Sequence, residues 1–172
     1  MKRILTIAVI ALSFRSMAFD STAWLEKREI LSREAERLMV AYTNFAARVS
    51  QPAENVAVPV ELFPDGAIKT IIEAKKAQYF LQEGFIWAEN VVVRRFRAPG
   101  KLEFRIDARN CVVDRTTKSG WANGKALVRH DGTVFYGDGI YFSSPEGYVS
   151  SWRDTKVEVR GVKSGSLKEV VR

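Results

Sequence analysis

The side chains that could do chemistry in this sequence are few and far apart. The chain contains one cysteine, Cys111, and one histidine, His130. A zinc site or a Cys/His nucleophile needs more partners of these types than the sequence offers. The apolar surroundings of the cysteine, Asn110-Cys111-Val112-Val113, are typical of the interior of a strand. The sequence therefore predicts a buried, inert thiol, with no metal and no cofactor.

Two acidic residues are the remaining candidates for catalysis. Asp131 follows His130, and Asp138 lies within Gly137-Asp138-Gly139. Both lie in predicted hairpin turns, where Asp and Gly are favoured for conformational reasons. No nucleophile motif, glycine-rich phosphate loop or metal cluster accompanies them. We expect a protein that is not an enzyme; a catalytic role for His130 and Asp138 is the alternative, which their replacement by alanine would test.

The first eighteen residues have the pattern of an export signal. Two basic residues precede an apolar run over 4–12, and small residues at positions 16 and 18 suit signal-peptidase cleavage. The apolar run is shorter than the roughly 20 residues that a membrane-spanning helix needs. We expect a signal peptide over 1–18, a mature chain that begins at Phe19 and a periplasmic location. An uncleaved signal anchor, which would leave the protein associated with the inner membrane, is the alternative.

The size and charge of the chain fit one ordinary domain. At 172 residues and 47% hydrophobic content, the chain has enough apolar material for one packed core. Residues 1–18 carry three basic side chains and no acidic one, so their removal lowers the formal net charge from +7 to +4. A positive balance of this size suits contact with phosphate-bearing partners such as lipid headgroups. No nucleic-acid partner is expected.

The segment 19–51 follows a helical pattern. From Trp24 onward apolar side chains recur every three or four positions, and Arg28 is the one charged interruption. Pro52 ends the pattern because proline disfavours helical geometry in the residue before it. We expect one long amphipathic helix over 21–50 whose apolar stripe packs on the rest of the protein. Self-association through this helix, or a position along a membrane, is the alternative.

After Glu54 the pattern changes to alternating polar and apolar residues, with β-branched side chains and turns that contain glycine. It predicts a mainly β domain over 52–162, an open jellyroll or roll of about ten short antiparallel strands, and a tail over 163–172. Among the boundaries of these predicted strands are breaks between 74 and 77, between 106 and 110, and between 136 and 140.

An internal repeat runs through the β domain. Segments that begin at positions 77, 108 and 139 are spaced 31 residues apart, and each consists of a short strand, a turn and a strand that begins with tryptophan. Repetition of one such unit indicates that each unit buries its apolar face by stacking on its neighbour, here around a continuous trough. The tryptophans at equivalent places in the three units are Trp87, Trp121 and Trp152. We expect them to be core residues, and direct contact with a ligand is the alternative.

Two motifs carry a resemblance to a known family. One is the unit small-x-Tyr-Phe, glycine turn, Trp-x-x-Asn-Val-x-Val, and the other is Gly-Thr-Val-Phe-Tyr-Gly-Asp-Gly-Ile-Tyr-Phe at 132–142. Over about residues 52–160 the chain resembles the OstA-like β-jellyroll of the lipopolysaccharide-transport periplasmic proteins, most of all the LptC-type subunit and next the LptA-type bridge. The resemblance implies a carrier that shields lipopolysaccharide acyl chains between the inner and outer membranes. It also implies pairing with neighbouring jellyroll proteins through strand edges.

The resemblance and the repeat together indicate which residues would meet lipopolysaccharide or a related lipid. Apolar side chains spaced by strand alternation are expected to share one inward face, and three arginines at the end of the longest valine run are expected to meet lipid phosphates. A solvated strand end, whose charges oppose aggregation, is the alternative for the arginines. The expected lipid-binding residues are Val91, Val93, Phe104, Ile106, Trp121, Leu127, Ile140, Phe142, Trp152, Val157 and Val159; the expected phosphate contacts are Arg94, Arg95 and Arg97.

A function of another class stays open. A non-catalytic periplasmic scaffold or adhesive module could use the helix to oligomerise and the β domain to bind protein. Lipid analysis separates the two classes, because a carrier purified from cells should bring lipid A species with it and a scaffold should not.

Overall fold

The computed structural model describes residues 21–130 and 132–159, except for the side chains of 21–25, 154 and 157–159. It consists of one helix followed by a single antiparallel sheet whose strands lie in chain order, so each strand pairs with its neighbours in sequence. The predicted signal peptide over 1–18 and the predicted tail over 163–172 lie outside the described residues. The elements are α1 (Ser21–Ala46), β1 (Ala53–Leu62), β2 (Ile68–Phe80), β3 (Phe85–Ala98), β4 (Lys101–Asp114), β5 (Ser119–His130), β6 (Thr133–Ser143) and β7 (Tyr148–Val159).

The expected fold class, mainly β with one N-terminal helix, is confirmed, but the sheet has seven long strands instead of about ten short ones. The three breaks expected from the sequence fall inside β2, β4 and β6. In β4 the register against β5 shifts between Ala108 and Asn110, and in β6 the register against β7 shifts between Tyr136 and Asp138. Such bulges interrupt the alternation of side chains without ending the strand.

These irregularities line up across the sheet as a bend line. The φ angles there are positive in β3, β5 and β6, at 52°, 74° and 75°, and the register of β4 shifts at the same level. Ala88 and Val91 both belong to one core although three positions separate them, so an extra residue has exchanged the two faces of the strand between them. The members of the bend line are Asn90, Arg109, Gly124 and Gly139.

At the bend line the sheet folds back on itself. Thr70 lies near the start of β2 and Ser144 just after the end of β6, which are opposite ends of the sheet along the strands. Their hydroxyl oxygens are nevertheless 2.5 Å apart. The two parts of the sheet therefore face each other as two layers. We call the part that contains Thr70 the uncovered half and the part that contains Phe85 and Tyr141 the covered half.

A dry apolar core, the inner face, lies between the two halves. It receives side chains from both halves of the sheet, and Val56, Val58 and Val60 of β1 pack against its border. Its larger members from the uncovered half are Ile72, Val91, Val93, Phe104, Ile106 and Val128, and those from the covered half are Ile86, Cys111, Val113, Ile140 and Phe142.

Helix α1 covers the outer side of the covered half. Ala35, Leu38 and Phe45 are buried there against an aromatic surface of the sheet, and Phe45 lies 4.6 Å from Phe80 and 4.8 Å from Phe85, measured between ring centroids. The apolar stripe of the helix thus packs on the β domain, as its periodicity predicts. Among the described residues, no helix combines the length and the apolar character that crossing a bilayer requires.

Truncation of the central helix side chain tests this packing. Leu38 is fully buried, so Leu38→Ala should lower the free energy of unfolding by about 2 to 5 kcal/mol through lost burial and the cavity left behind. Val40 is 57% exposed on the same helix, and Val40→Ala should change stability by less than about 0.5 kcal/mol. Urea unfolding followed by circular dichroism measures both, and equal effects of the two substitutions would show that the helix does not pack as described.

A glycine in the bend line supports a second comparison. A Cβ atom on Gly139 would lie 2.6 Å from the ring of Trp121, whereas one on Gly124 would meet nothing within 4 Å; both residues have positive φ. Both substitutions therefore strain the backbone in the same way, and only Gly139→Ala adds a steric clash with Trp121. It should destabilise the protein by about 1 to 3 kcal/mol more than Gly124→Ala does. Thermal unfolding of the two variants measures the difference, and a smaller loss for Gly139→Ala would contradict the tight contact.

The thiol of Cys111 should be inert in the folded protein. The side chain is fully buried, and burial raises its pKa far above the ordinary value of a thiol. Because the thiolate is the reactive form, a thiol reagent at pH 8 should leave the native protein unmodified and should label it fully in denaturant. Absorbance of the released chromophore checks this, and rapid labelling without denaturant would show that the inner face opens readily.

Candidate functional site

The inner face brings together six of the residues that the sequence assigns to lipid. All six are at most 2% exposed and pack in one cluster. In this conformation they form a closed core, so a ligand reaches them only where the two halves of the sheet separate. They are Val91, Val93, Phe104, Ile106, Ile140 and Phe142.

Three other candidates lie on outer surfaces. Trp121 and Trp152 meet edge to face with ring centroids 6.0 Å apart, in the core beneath α1. Leu127 is half-buried between Ala126 and Val128, both of which belong to the inner face. Alternation along β5 therefore turns Leu127 outward, as it turns Trp121 outward, and the expected place of Leu127 on the inner face is wrong.

The last two candidates lie in β7. The backbone of Val157 pairs with Phe135 and that of Val159 pairs with Thr133. The side chains of Val157 and Val159 lie outside the described part of the structure, so their place on the inner face stays a prediction.

The hairpin ends of the uncovered half carry exposed apolar side chains. Leu62 and Ile68 face each other across the β1–β2 hairpin, and Leu102 lies at the start of β4. Their exposures are 53%, 42% and 43%. The exposed side chains of Arg97 and Lys101 lie in the neighbouring β3–β4 hairpin. Exposed apolar side chains thus lie at this end, outside the closed core, with cations beside them.

A group of polar side chains separates this end from the dry core and joins the two halves. Glu61 of β1 accepts hydrogen bonds from the Ser144 hydroxyl at 2.5 Å and from Lys69 Nζ at 3.1 Å. Lys118 Nζ lies 3.7 Å from the same carboxylate. We call this group the mouth cluster; its members are Glu61, Lys69, Thr70, Arg95, Glu103, Lys118 and Ser144.

Arg95 holds the second ion pair of the mouth cluster. Its guanidinium pairs with Glu103, and its Nε donates to the backbone oxygen of Ser144 at 2.6 Å. The side chain is 8% exposed, and this burial lowers the pKa of Arg95, an effect that the charge of Glu61 partly offsets. Arg95 therefore ties β3 of the uncovered half to the turn that follows β6.

The pKa of Glu61 lies below its ordinary value. Burial raises this pKa, but the hydrogen bonds from Ser144 and Lys69 and the charges of Lys69 and Lys118 together outweigh it. The carboxylate is consequently charged at neutral pH. The mouth cluster then holds three cations and two carboxylates.

The three arginines expected to contact phosphate do not form one site. Arg95 points into the mouth cluster, and Arg97 lies exposed near the β3–β4 turn. Arg94 faces the opposite side of β3, where it pairs with Glu73. Adjacent positions of a strand point to opposite faces, and this separates Arg94 from Arg95. Contact of any of them with phosphate stays a prediction.

The outer surface of the uncovered half carries a shallow groove of about 890 Å³ next to the bend line. Its half-exposed lining includes Val92, Leu127 and Tyr136, and its polar lining includes Asp107 and Asp138. Asp107 accepts hydrogen bonds from Arg105 and Arg129, so its charge is already matched. The groove is therefore a mixed apolar and polar surface without a free carboxylate at Asp107.

The residues considered as candidates for catalysis lie far apart in the structure. Cys111 lies in the dry core, His130 ends β5, and Asp138 lies in the outer groove. Asp131 lies outside the described residues. Within the described parts of the chain, no group of three or more His, Cys, Asp or Glu side chains is arranged to hold a metal ion.

Comparison with known proteins finds similarity among solved structures. No protein-family model matches the sequence, and no curated protein matches it. A similar solved structure is LptH, the LptA-homologous periplasmic component of the conserved lipopolysaccharide transport device from Pseudomonas aeruginosa. The two chains are 12% identical and align with a TM-score of 0.49, over 64% of this chain and 94% of that one. LptH belongs to the group that the sequence motifs resemble.

Proposed function

We propose that this protein is a periplasmic carrier or bridge component that shields the acyl chains of lipopolysaccharide, or of a related lipid, on the way from the inner to the outer membrane. One observation carries the proposal. A single bent sheet encloses an apolar inner face, and exposed apolar side chains beside cations lie beyond the mouth cluster, at the hairpin ends of the uncovered half. Acyl chains and charged headgroups need those two environments side by side.

The energetics favour an enclosed apolar path. Each methylene removed from water contributes about 0.8 kcal/mol, so several acyl chains cannot cross an aqueous compartment unshielded. Delivery must also be reversible, which a space between two separable layers allows more readily than a sealed cavity. In the closed conformation the two halves cover each other's apolar surface, so empty protein does not expose it.

The lipid contacts that we propose are the six inner-face residues named above, reached when the halves separate, with Leu62, Ile68 and Leu102 as the point of entry. Arg97 lies exposed beside that entry and is the arginine best placed for a lipid phosphate. Trp121, Trp152 and Leu127 lie on the outer surfaces and form no part of this path.

We further propose that the terminal strands pair with neighbouring jellyroll proteins. Among the described strands, β1 and β7 have one partner each. A strand with an open edge offers unpaired backbone groups to a strand from another protein. Pro59 lacks an N–H group, so pairing along β1 would be restricted near it.

A scaffold that oligomerises through its helix is less well supported. Ala35, Leu38 and Phe45 of α1 are buried on the sheet and are not available to a second helix. Export by the segment 1–18 is part of the proposal and rests on the sequence pattern alone.

Photo-crosslinking tests the lipid path. A benzophenone amino acid at position 102, beside the proposed entry, should crosslink to a glycolipid in living cells. The control position is Leu81, which is 76% exposed in the β2–β3 turn, away from the proposed entry. It should give no lipid adduct.

Mass spectrometry identifies the adduct, and lipid extraction of the purified protein should yield lipid A species. Absence of glycolipid in both assays, together with helix-dependent oligomers, would favour the scaffold and overturn the proposal. Equal crosslinking at positions 81 and 102 would also contradict it.

A further inference from the structure

We propose that Glu61 is an internal counter-ion that occupies an anion site, and that a phosphate monoester displaces it from Lys69, Lys118 and the Ser144 hydroxyl. The inference rests on the proposed function only for the source of the phosphate, a lipid headgroup; the site itself follows from the contacts within the mouth cluster.

The chain segments that carry the cationic and hydroxyl groups of this site are held together without Glu61. The backbone N–H of Ser144 donates to the backbone oxygen of Lys118 at 3.0 Å. The hydroxyl of Ser144 meets that of Thr70 at 2.5 Å, and Thr70 adjoins Lys69 in β2. Removal of the carboxylate would therefore leave two ammonium groups and two hydroxyl groups around one point. Such a set of donors suits a phosphate, which offers several strong acceptor oxygens.

The charges of the mouth cluster favour an anion that carries more charge than a carboxylate. Lys69, Arg95 and Lys118 contribute three positive charges, and Glu61 and Glu103 contribute two negative ones. Arg95 and Glu103 neutralise each other, so one carboxylate is shared by two lysines. A phosphate monoester carries about −1.5 to −2 at neutral pH. Its exchange for Glu61 would bring the cluster close to neutrality.

Glu61 also lies in an irregularly paired part of a terminal strand. β1 is a terminal strand with β2 as its one partner, and its register shifts on both sides of Glu61, between Pro59 and Glu61 and between Glu61 and Leu62. Displacement of the carboxylate therefore disturbs little regular pairing. Lys69 and Lys118 retain 23% and 40% of their side-chain exposure, so the site is reachable from solvent.

The displacement would couple headgroup binding to access to the inner face. Glu61 bonds to Ser144, and this contact joins the uncovered half to the turn beyond the covered half. Loss of it removes one of the ties that close the mouth, beside the exposed Leu62. A bound phosphate would thus loosen β1 at the place where an acyl chain enters.

The test is a binding measurement on the purified full chain with inorganic phosphate, by isothermal titration calorimetry. Glu61→Gln should bind phosphate at least tenfold more tightly than the unmodified chain, because the competing carboxylate is gone. Addition of Lys69→Gln and Lys118→Gln should abolish that gain. Glu29→Gln is the matched control, since it removes the same charge from an exposed helix position that pairs with Arg33.

An equal gain in Glu29→Gln, or a gain that survives loss of both lysines, would show a non-specific charge effect and overturn the proposal. No gain in a folded Glu61→Gln chain, as judged by circular dichroism, would overturn it as well. If Glu61→Gln does not fold, the rates of lysine acetylation in the unsubstituted chain, with and without phosphate, test the proposal instead. Phosphate should then slow modification of Lys69 and Lys118 relative to the exposed Lys27, and equal rates would refute the site.

A second arm distinguishes the sources of phosphate. A phosphorylated glycolipid should compete with inorganic phosphate, and the same glycolipid without its phosphate should not. If the glycolipid without its phosphate competes as well, the lipid acts through a group other than its phosphate. That result would overturn the proposed displacement of Glu61. Because inorganic phosphate alone reports on the anion site, a failure of lipid carriage would be seen separately, as the absence of glycolipid in the crosslinking experiment.

Discussion

The structure depends on the extra residues that interrupt its long strands at one level. An inserted residue exchanges the two faces of a strand, so side chains that would otherwise point to opposite sides of a flat sheet point toward each other after the fold at the bend line. One sheet thereby supplies both layers of a sandwich. The fold leaves a second apolar surface, the aromatic outer side of the covered half, and α1 is the element that removes it from water.

Much of this architecture can be predicted from the sequence. The fold class and the helix follow from hydrophobic periodicity, and α1 ends at Ala46, four residues before the predicted boundary at 50. The spacing of 31 residues corresponds to one hairpin of the sheet. Positions 77, 108 and 139 lie in β2, β4 and β6 near the bend line, and the tryptophans follow in β3, β5 and β7. They share the outer core, as equivalent positions should.

The rest of the structure depends on contacts that no local pattern encodes. A polar residue such as Asn110 or Asp138 is compatible with the end of a strand and equally with a bulge inside one. The sequence pattern therefore predicts two short strands where β4 and β6 are each one long strand. The mouth cluster had no sequence signal at all, because Glu61 and Ser144 lie 83 positions apart and each resembles an ordinary residue at a strand end.

The order of the strands in the sheet bears on how the chain folds. Each strand pairs with the next one in sequence, so the ladders close short loops at a small entropic cost. The contacts of Ser144 with Thr70 and Glu61 instead span 74 and 83 residues. Loop-closure entropy favours their formation after the hairpins, and their loss would break none of the ladders. Separation of the two halves would therefore leave the secondary structure whole, and its cost would lie in these long-range contacts and in the apolar surface of the inner face that it exposes.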